Sequence, residues 1–328
     1  MKSKMIQPAN QIRLFAATAA AVLLLAGCEK ESNNTVENGP VAARITSTIA
    51  GMTTPGSTDG TPTTRASGTA WAANDEIGIT AIHNADHSIL LINACYVTPN
   101  GDGKFEAEDG SQFYFTDNVE VSFTAYYPWT ATEDMDENGI ITLITEESVQ
   151  TPEKQPEIDF LFATATGSGA NADVRLQFRH CMSRVVLRFL PGENIAALDD
   201  IEYTLNGMEL GGTFNPLTGE AKAITSQTIN SLITRTVPGN SAAELSSPLI
   251  LFPQKSDADK TLTLTMRGTT YTATFQLPQN PQNNNVRELA SGYSYIYNVK
   301  INNTTMTITP ATIAPWTNGG GEDINSTN

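Results

Sequence analysis

Three histidines, three cysteines and a run of carboxylates are the side chains of this sequence best suited to chemistry, and their spacing argues against most of it. Asp134, Asp136 and Asn138, followed by Gly139, copy the first half of a calcium loop, in which oxygen ligands at alternate positions wrap the ion. The twelfth position of such a loop needs a bidentate carboxylate but holds Thr145, with Glu146 one residue late. Asn138-Gly139 ahead of Ile140 reads better as a hairpin turn, since both residues tolerate positive φ, so no metal is expected and the trio stands only as the calcium candidate. Asn100-Gly101-Asp102-Gly103 is a second turn of this kind. His83 and His87 would need a helix to align their imidazoles, and Asn84-Ala85-Asp86 breaks one. His180 and Cys181 adjoin on a strand and point to opposite faces, which defeats a nucleophile and base pair; His180 is expected to be satisfied by a neighbouring backbone group. With no nucleophile elbow, phosphate loop or dinucleotide fingerprint either, neither an enzyme nor a cofactor is expected. Trp71, Trp129 and Trp316 could form a sugar platform, but packing is the role expected of each.

The charge balance narrows the partners. Nineteen basic residues against 35 acidic ones give −16 and no basic stripe, which excludes nucleic acid, because phosphate neutralisation requires clustered Lys and Arg. The acidity is diffuse, as suits solubility outside the cell.

Lys2, Lys4 and Arg13 precede an apolar run from Leu14 to Ala26, too short for a membrane span and laid out as a secretory signal peptide over residues 1–27. The run ends in Leu25-Ala26-Gly27-Cys28, which resembles the lipobox of bacterial lipoproteins, where the cysteine thiol receives a diacylglycerol before cleavage. Each buried acyl CH₂ contributes about 0.8 kcal/mol, so a multiply acylated Cys28 anchors the chain to the outer membrane. Loss of residues 1–27 leaves 16 basic and 35 acidic residues, a net −19. Glu29-Lys30-Glu31 resembles the acidic stretches that route lipoproteins to the outer surface. Cys95 and Cys181 then remain to pair or stay as thiols; buried thiols are expected, because both sit in strand-like apolar segments.

The elements that position these residues are strands. Alternation of period two dominates and helical periodicity is almost absent, so the chain reads as all-β. In Thr261-Leu262-Thr263-Leu264-Thr265-Met266 every Thr takes one face and every apolar residue the other. Tyr271 to Leu277 repeats the pattern after Arg267-Gly268-Thr269-Thr270, as a hairpin does. Val121, Phe123, Ala125 and Tyr127 alternate up to Pro128; Val185, Leu187 and Phe189 alternate up to Pro191-Gly192. Residues 28–40 read as a polar tether, and 41–50 as a strand carrying Ile45 and Ile49. Residues 51–68, rich in Thr, Gly, Pro and Ser, cannot build a core and read as an exposed loop. A composition break at 167–171 divides an N-terminal domain, 41–169, from a C-terminal domain, 170–328, whose end past Asn318 reads as frayed.

Several local patterns in order resemble the fimbrillin-like (Mfa-like) family of surface lipoproteins and fimbrial subunits. They are Thr64-Arg65-Ala66 before Trp71 and Asn74-Asp75-Glu76-Ile77-Gly78-Ile79, then Ala125-Tyr126-Tyr127-Pro128-Trp129, Ile158 to Ala163, Phe178 with His180, Pro253-Gln254, and Gly292-Tyr293-Ser294-Tyr295 closing on Trp316. The resemblance implies two tandem transthyretin-like β-sandwich domains and assembly into surface fibres with other fimbrial subunits. It implies export as a lipoprotein, cleavage by an Arg-specific protease that removes the first strand, and entry of a neighbour's strand into the vacated groove. Arg65, in the exposed loop, is the processing residue this picture selects and Arg44 the second choice; Ile45 and Ile49 mark the removable strand. Met306, Ile308 and Ile313 mark the donor strand, although the chain past Trp316 is only polar tail, which points to a tip or anchor subunit. The other reading is a monomeric surface lipoprotein that binds glycan or another host ligand.

Overall fold

Alternating apolar and polar residues commit a chain to strands with one face buried, and the computed structural model bears this out: nearly all its regular structure is β. It describes residues 39–50, 70–108, 110–224, 232–280, 283–309 and 312–316. Cys28, most of the tether, the 51–68 loop and Arg65 lie outside the described residues.

Seven strands hydrogen-bond in a closed path: Asp173–His180, Arg44–Ile49, Lys104–Ala107, Ile89–Thr98, Asp75–His83, Val121–Tyr127 and Leu161–Gly167, which returns to the first. Inside the ring lie Ile77, Ile79, Tyr96, Phe123, Val174, Leu176 and Phe178, all within 1% of complete burial. A second apolar core lies between two further sheets, one of Leu245–Leu251, Ser183–Pro191, Tyr293–Ile301 and Met306–Ile308, the other of Leu232–Val237, Ile201–Asn206, Lys260–Met266 and Thr269–Phe275. The Thr-Leu alternation is realised there: Leu262 and Leu264 are buried, while Thr263 and Thr265 face the hydroxyls of Thr272 and Thr270 on the outer surface. Arg267 and Gly268 both take positive φ, so this hairpin turns in two residues rather than the four read from the sequence.

Residue 169, where the sequence suggests a boundary, lies between two strands of the first ring. Residues 168–171 form a turn inside the first ring, and Asp173–His180 closes that ring by pairing with Arg44–Ile49. The chain crosses to the second pair of sheets at Cys181–Met182. Ile141–Ile144, sequentially in the first half, pairs with Gly211–Asn215 in the second, so Asn138-Gly139 does not join two hairpin strands. At the calcium candidate, one Asp136 carboxylate oxygen accepts the N–H groups of Asn138 and Ile140 and closes the turn.

Candidate functional site

Val41 to Ala50, the segment expected as the first strand, is held by the fold at both edges. Arg44–Ile49 runs parallel to Asp173–Phe178 over six positions, Ile45 opposite Val174 and Ile49 opposite Phe178. Its other edge pairs antiparallel with Lys104 and Phe105. Ahead of it, Val41 and Ala42 pair with Phe115 and Tyr114. Further backbone bonds run from Ala43 to Phe113, Arg44 to Ala172, Ser47 to Gly103 and Ala50 to Phe178, at 2.7 to 3.0 Å. Along the strand Arg44, Thr46 and Thr48 are exposed while Ile45, Ser47 and Ile49 point inward. Each buried isoleucine contributes about 1.5–3 kcal/mol.

Trp71 stands at the centre of the core this strand covers. Its ring meets Phe105, Tyr127 and Phe178 edge to face with centroids 5.2, 5.4 and 5.3 Å away. Gly103 brings the Lys104 strand against Arg44–Ile49: at φ +76° its carbonyl accepts the Ser47 N–H, and a Cβ there would lie 2.5 Å from the Ser47 carbonyl oxygen. Two defects sit in the middle of this packing, one of them the Trp71 indole N–H, buried without a hydrogen-bond partner among the described residues. The Ser47 hydroxyl is buried and has no hydrogen-bond partner among the described residues, a condition that costs about 1–3 kcal/mol. At the strand's end Arg44 pairs with Asp173, and that hydrogen bond holds the carboxyl of Asp173 below the ordinary carboxylate range.

The donor candidates lie in the second unit of sheets, in their own ladder. Met306–Ile308 pairs with Val299–Ile301, and Thr312–Pro315, carrying Ile313, pairs with Tyr293–Ile296. Met306 is buried, and Ile308 and Ile313 pack against the second core. Trp316 follows directly and is buried at the seam between the two cores, its ring stacked on His180 at 4.0 Å and 4°. His180 is itself buried and pairs through Nδ1 with Asp159 at 3.0 Å, so a carboxylate takes the place of the backbone group expected from the sequence. Trp71 and Trp316 are core residues, and Trp129 is half-buried with its indole N–H on the Asn93 carbonyl; packing is the role of all three. Cys95 and Cys181 form no disulfide; Cys181 is fully buried, while Cys95 is only half-buried, less than expected.

Residues far apart in sequence build that seam. Tyr126, Phe160, Phe162, Cys181, Met182, Phe252 and Trp316 form one apolar cluster, and Phe160 stacks on Phe214 at 4.2 Å. Tyr126, Phe160, Phe162 and Trp316 belong to the short patterns that carried the sequence resemblance. The model of the fimbrillin-like family matches residues 64–316. The chain belongs to the fimbrillin-like family. Its likeness to solved structures agrees: a "putative cell adhesion protein" from Bacteroides ovatus is 31% identical, with a TM-score of 0.68 over 87% of this chain and 99% of that one. Another so described, from Bacteroides uniformis, shares the fold at 23% identity and a TM-score of 0.62, over 85% and 99%. No curated protein matches.

Proposed function

We propose that this fimbrillin-like chain is a structural subunit of a cell-surface adhesive fibre, not an enzyme, exported as a lipoprotein and held in the outer membrane through acylated Cys28. In this account cleavage at Arg65 releases the strand bearing Ile45 and Ile49, and a strand from another fimbrial subunit replaces it. The observation that carries the reading is the placement of Arg44–Ile49, paired on both edges and aimed into the core, ahead of an arginine in a Thr, Gly and Pro-rich stretch. Cutting after Arg65 converts that strand from a tethered part of the chain to a separate peptide, so its hold falls by the loss of effective concentration. Its departure bares the edges of Asp173–Phe178 and Lys104–Phe105 together with the apolar floor around Trp71, and an incoming strand satisfies all of them.

Arg65 is favoured over Arg44 because the Arg44 backbone N–H is bonded to Ala172 within the sheet, where a protease cannot draw the chain out. The segment with Met306, Ile308 and Ile313 would have to leave its ladder to act as donor, which favours an acceptor at the tip or anchor of the fibre. The Bacteroides ovatus relative, described as a cell adhesion protein, extends the adhesive role to this chain, with a host ligand or glycan as the target. Mass spectrometry of the N-terminus of surface material tests the reading: the parent chain is expected to begin at Ala66 and Arg65→Ala to keep its lipid-anchored start. Identical processing of the two removes Arg65 from the account.

A further inference from the structure

Two exposed large apolar side chains at the first ring, Leu90 and Tyr114, with 44% and 52% of their surface open, line one groove, and Ile89 and Ile92, 60% and 63% open, lie on the same strand as Leu90. The strand that carries Ile89, Leu90 and Ile92 is paired with Asp75–His83 on one side, but on the other Lys104–Ala107 reaches only Tyr96 and Val97. Among the described residues no strand covers the outer edge of Ile89–Ile92. Between that edge and the Gln112–Asp117 segment runs a groove of about 510 Å³, with Leu90 and Leu91 on one wall and Phe113, Tyr114 and Phe115 on the other. Two register shifts opposite Ile79–Ile82 break the alternation of the strand, which is why the adjoining Leu90 and Leu91 both reach the groove.

The charge at the groove is one-sided. Its ionisable lining consists of Asp86, Asp117 and His83, with no lysine or arginine. His83 lies between the two carboxylates, Nδ1 at 2.9 Å from Asp86 and Nε2 at 3.5 Å from Asp117. Asp86 also accepts the backbone N–H and the hydroxyl of Ser88, which with the His83 bond lower its pKa to about 2 and keep it charged.

An uncovered strand edge, an apolar wall and an acidic end together describe the imprint of an extended peptide. We infer that the groove receives an extended segment of another polypeptide, apolar where it crosses Leu90, Leu91 and Tyr114, with a lysine or arginine that meets Asp86 and Asp117. Segments of this chain fit poorly: residues 28–38 set Lys30 between Glu29 and Glu31, 51–69 carry Arg65 but also two prolines and no alternating apolar run, and 317–328 carry Glu322 and Asp323 with no basic residue. A second copy brings its own −16 against an acidic site. A flat edge pairs with almost any strand, whereas this shifted one admits only a partner that follows its bend, so the apolar surface is exposed without being indiscriminate. The groove is distinct from the Arg44–Ile49 slot, but its Phe113–Phe115 wall is held by Val41 to Ala43, which leave with that strand, so the inference applies to the uncut chain.

The test uses the full chain and labelled peptides of about seven residues in which valine and threonine alternate, one ending in lysine and its twin in glutamate, followed by fluorescence anisotropy. The lysine peptide is expected to bind, the glutamate twin to bind roughly tenfold more weakly or worse, and Leu90→Asp to weaken the lysine peptide by a similar factor. Asp117→Asn should narrow the gap between the twins, a change that a general loss of structure would not produce. Leu90 is largely exposed, so unchanged thermal melting of Leu90→Asp will show that the fold is intact. Equal binding of the twins, indifference to Leu90→Asp, binding of neither peptide, or self-association abolished by Leu90→Asp would each overturn the inference.

Discussion

Ile49 lies directly opposite Phe178 in a parallel ladder whose far end sets Arg44 beside Asp173, 129 positions away in the chain. Parallel pairing at such a separation cannot come from a local turn, so the contact is a tertiary one, made by burial. Ile45→Ala and Ile49→Ala are therefore expected to cost about 2–4 kcal/mol each in urea unfolding, and Thr46→Ala and Thr48→Ala, on the exposed face, less than about 0.5 kcal/mol. Equal losses on both faces would show that the strand is not held by its buried side.

Ser47 is the inward position at which this strand fits worst. Removing its unpartnered hydroxyl should help: Ser47→Ala is expected to stabilise the uncut chain by about 1 kcal/mol and to slow loss of the strand after cleavage. A destabilised Ser47→Ala would mean that the hydroxyl has a partner and that the packing has no defect there.

Gly103 and Gly139 separate contact from conformation. Both have positive φ, but a Cβ at 103 would strike the Ser47 carbonyl while one at 139 meets nothing within 4 Å. Gly139→Ala should cost about 1 kcal/mol from φ alone, and Gly103→Ala about 1–3 kcal/mol beyond that, with residues 44–49 becoming sensitive to protease. Matching losses at the two sites would contradict the close approach.

Much of this was legible before any coordinates, and the reason lies in which signals are local. Alternation in Thr261–Met266 and Val121–Tyr127 fixes a strand and its buried face without reference to a partner, so the all-β class and most of the core followed. The expected strand at 41–50 is present for the same reason. Its pairing with Asp173–His180 was not legible, because the Gly-rich turn at 167–171 looks like a linker when its flanking strands are read singly. The acidic groove end was missed as well: His83 and Asp86 are close in sequence, but Asp117 reaches them only through the ring, and the apolar run Ile89–Ile92 reads as core until its edge is seen to be uncovered. Likewise, nothing in the alternation links Asp159 to His180, or His180 to Trp316.

The two thiols should react very differently. Burial pushes the thiol of Cys181 up to about 12, so at pH 8 it is protonated as well as inaccessible, whereas Cys95 is half-buried. Iodoacetamide on the native chain is expected to label Cys95 and spare Cys181, with both labelled in urea. Prompt labelling of Cys181 in the native state would show that the seam around Trp316 opens readily.

Trimming of purified chain by an Arg-specific protease, followed by native mass spectrometry and denaturing gels without boiling, addresses strand replacement itself. If the segment ahead of Ala66 is a replaceable closure, the trimmed chain will lose that fragment and then capture strands, as subunit ladders or as a complex with an added relative. A fragment that stays bound indefinitely, or a chain that sheds it and remains a lone monomer with such a relative in excess, would contradict the account.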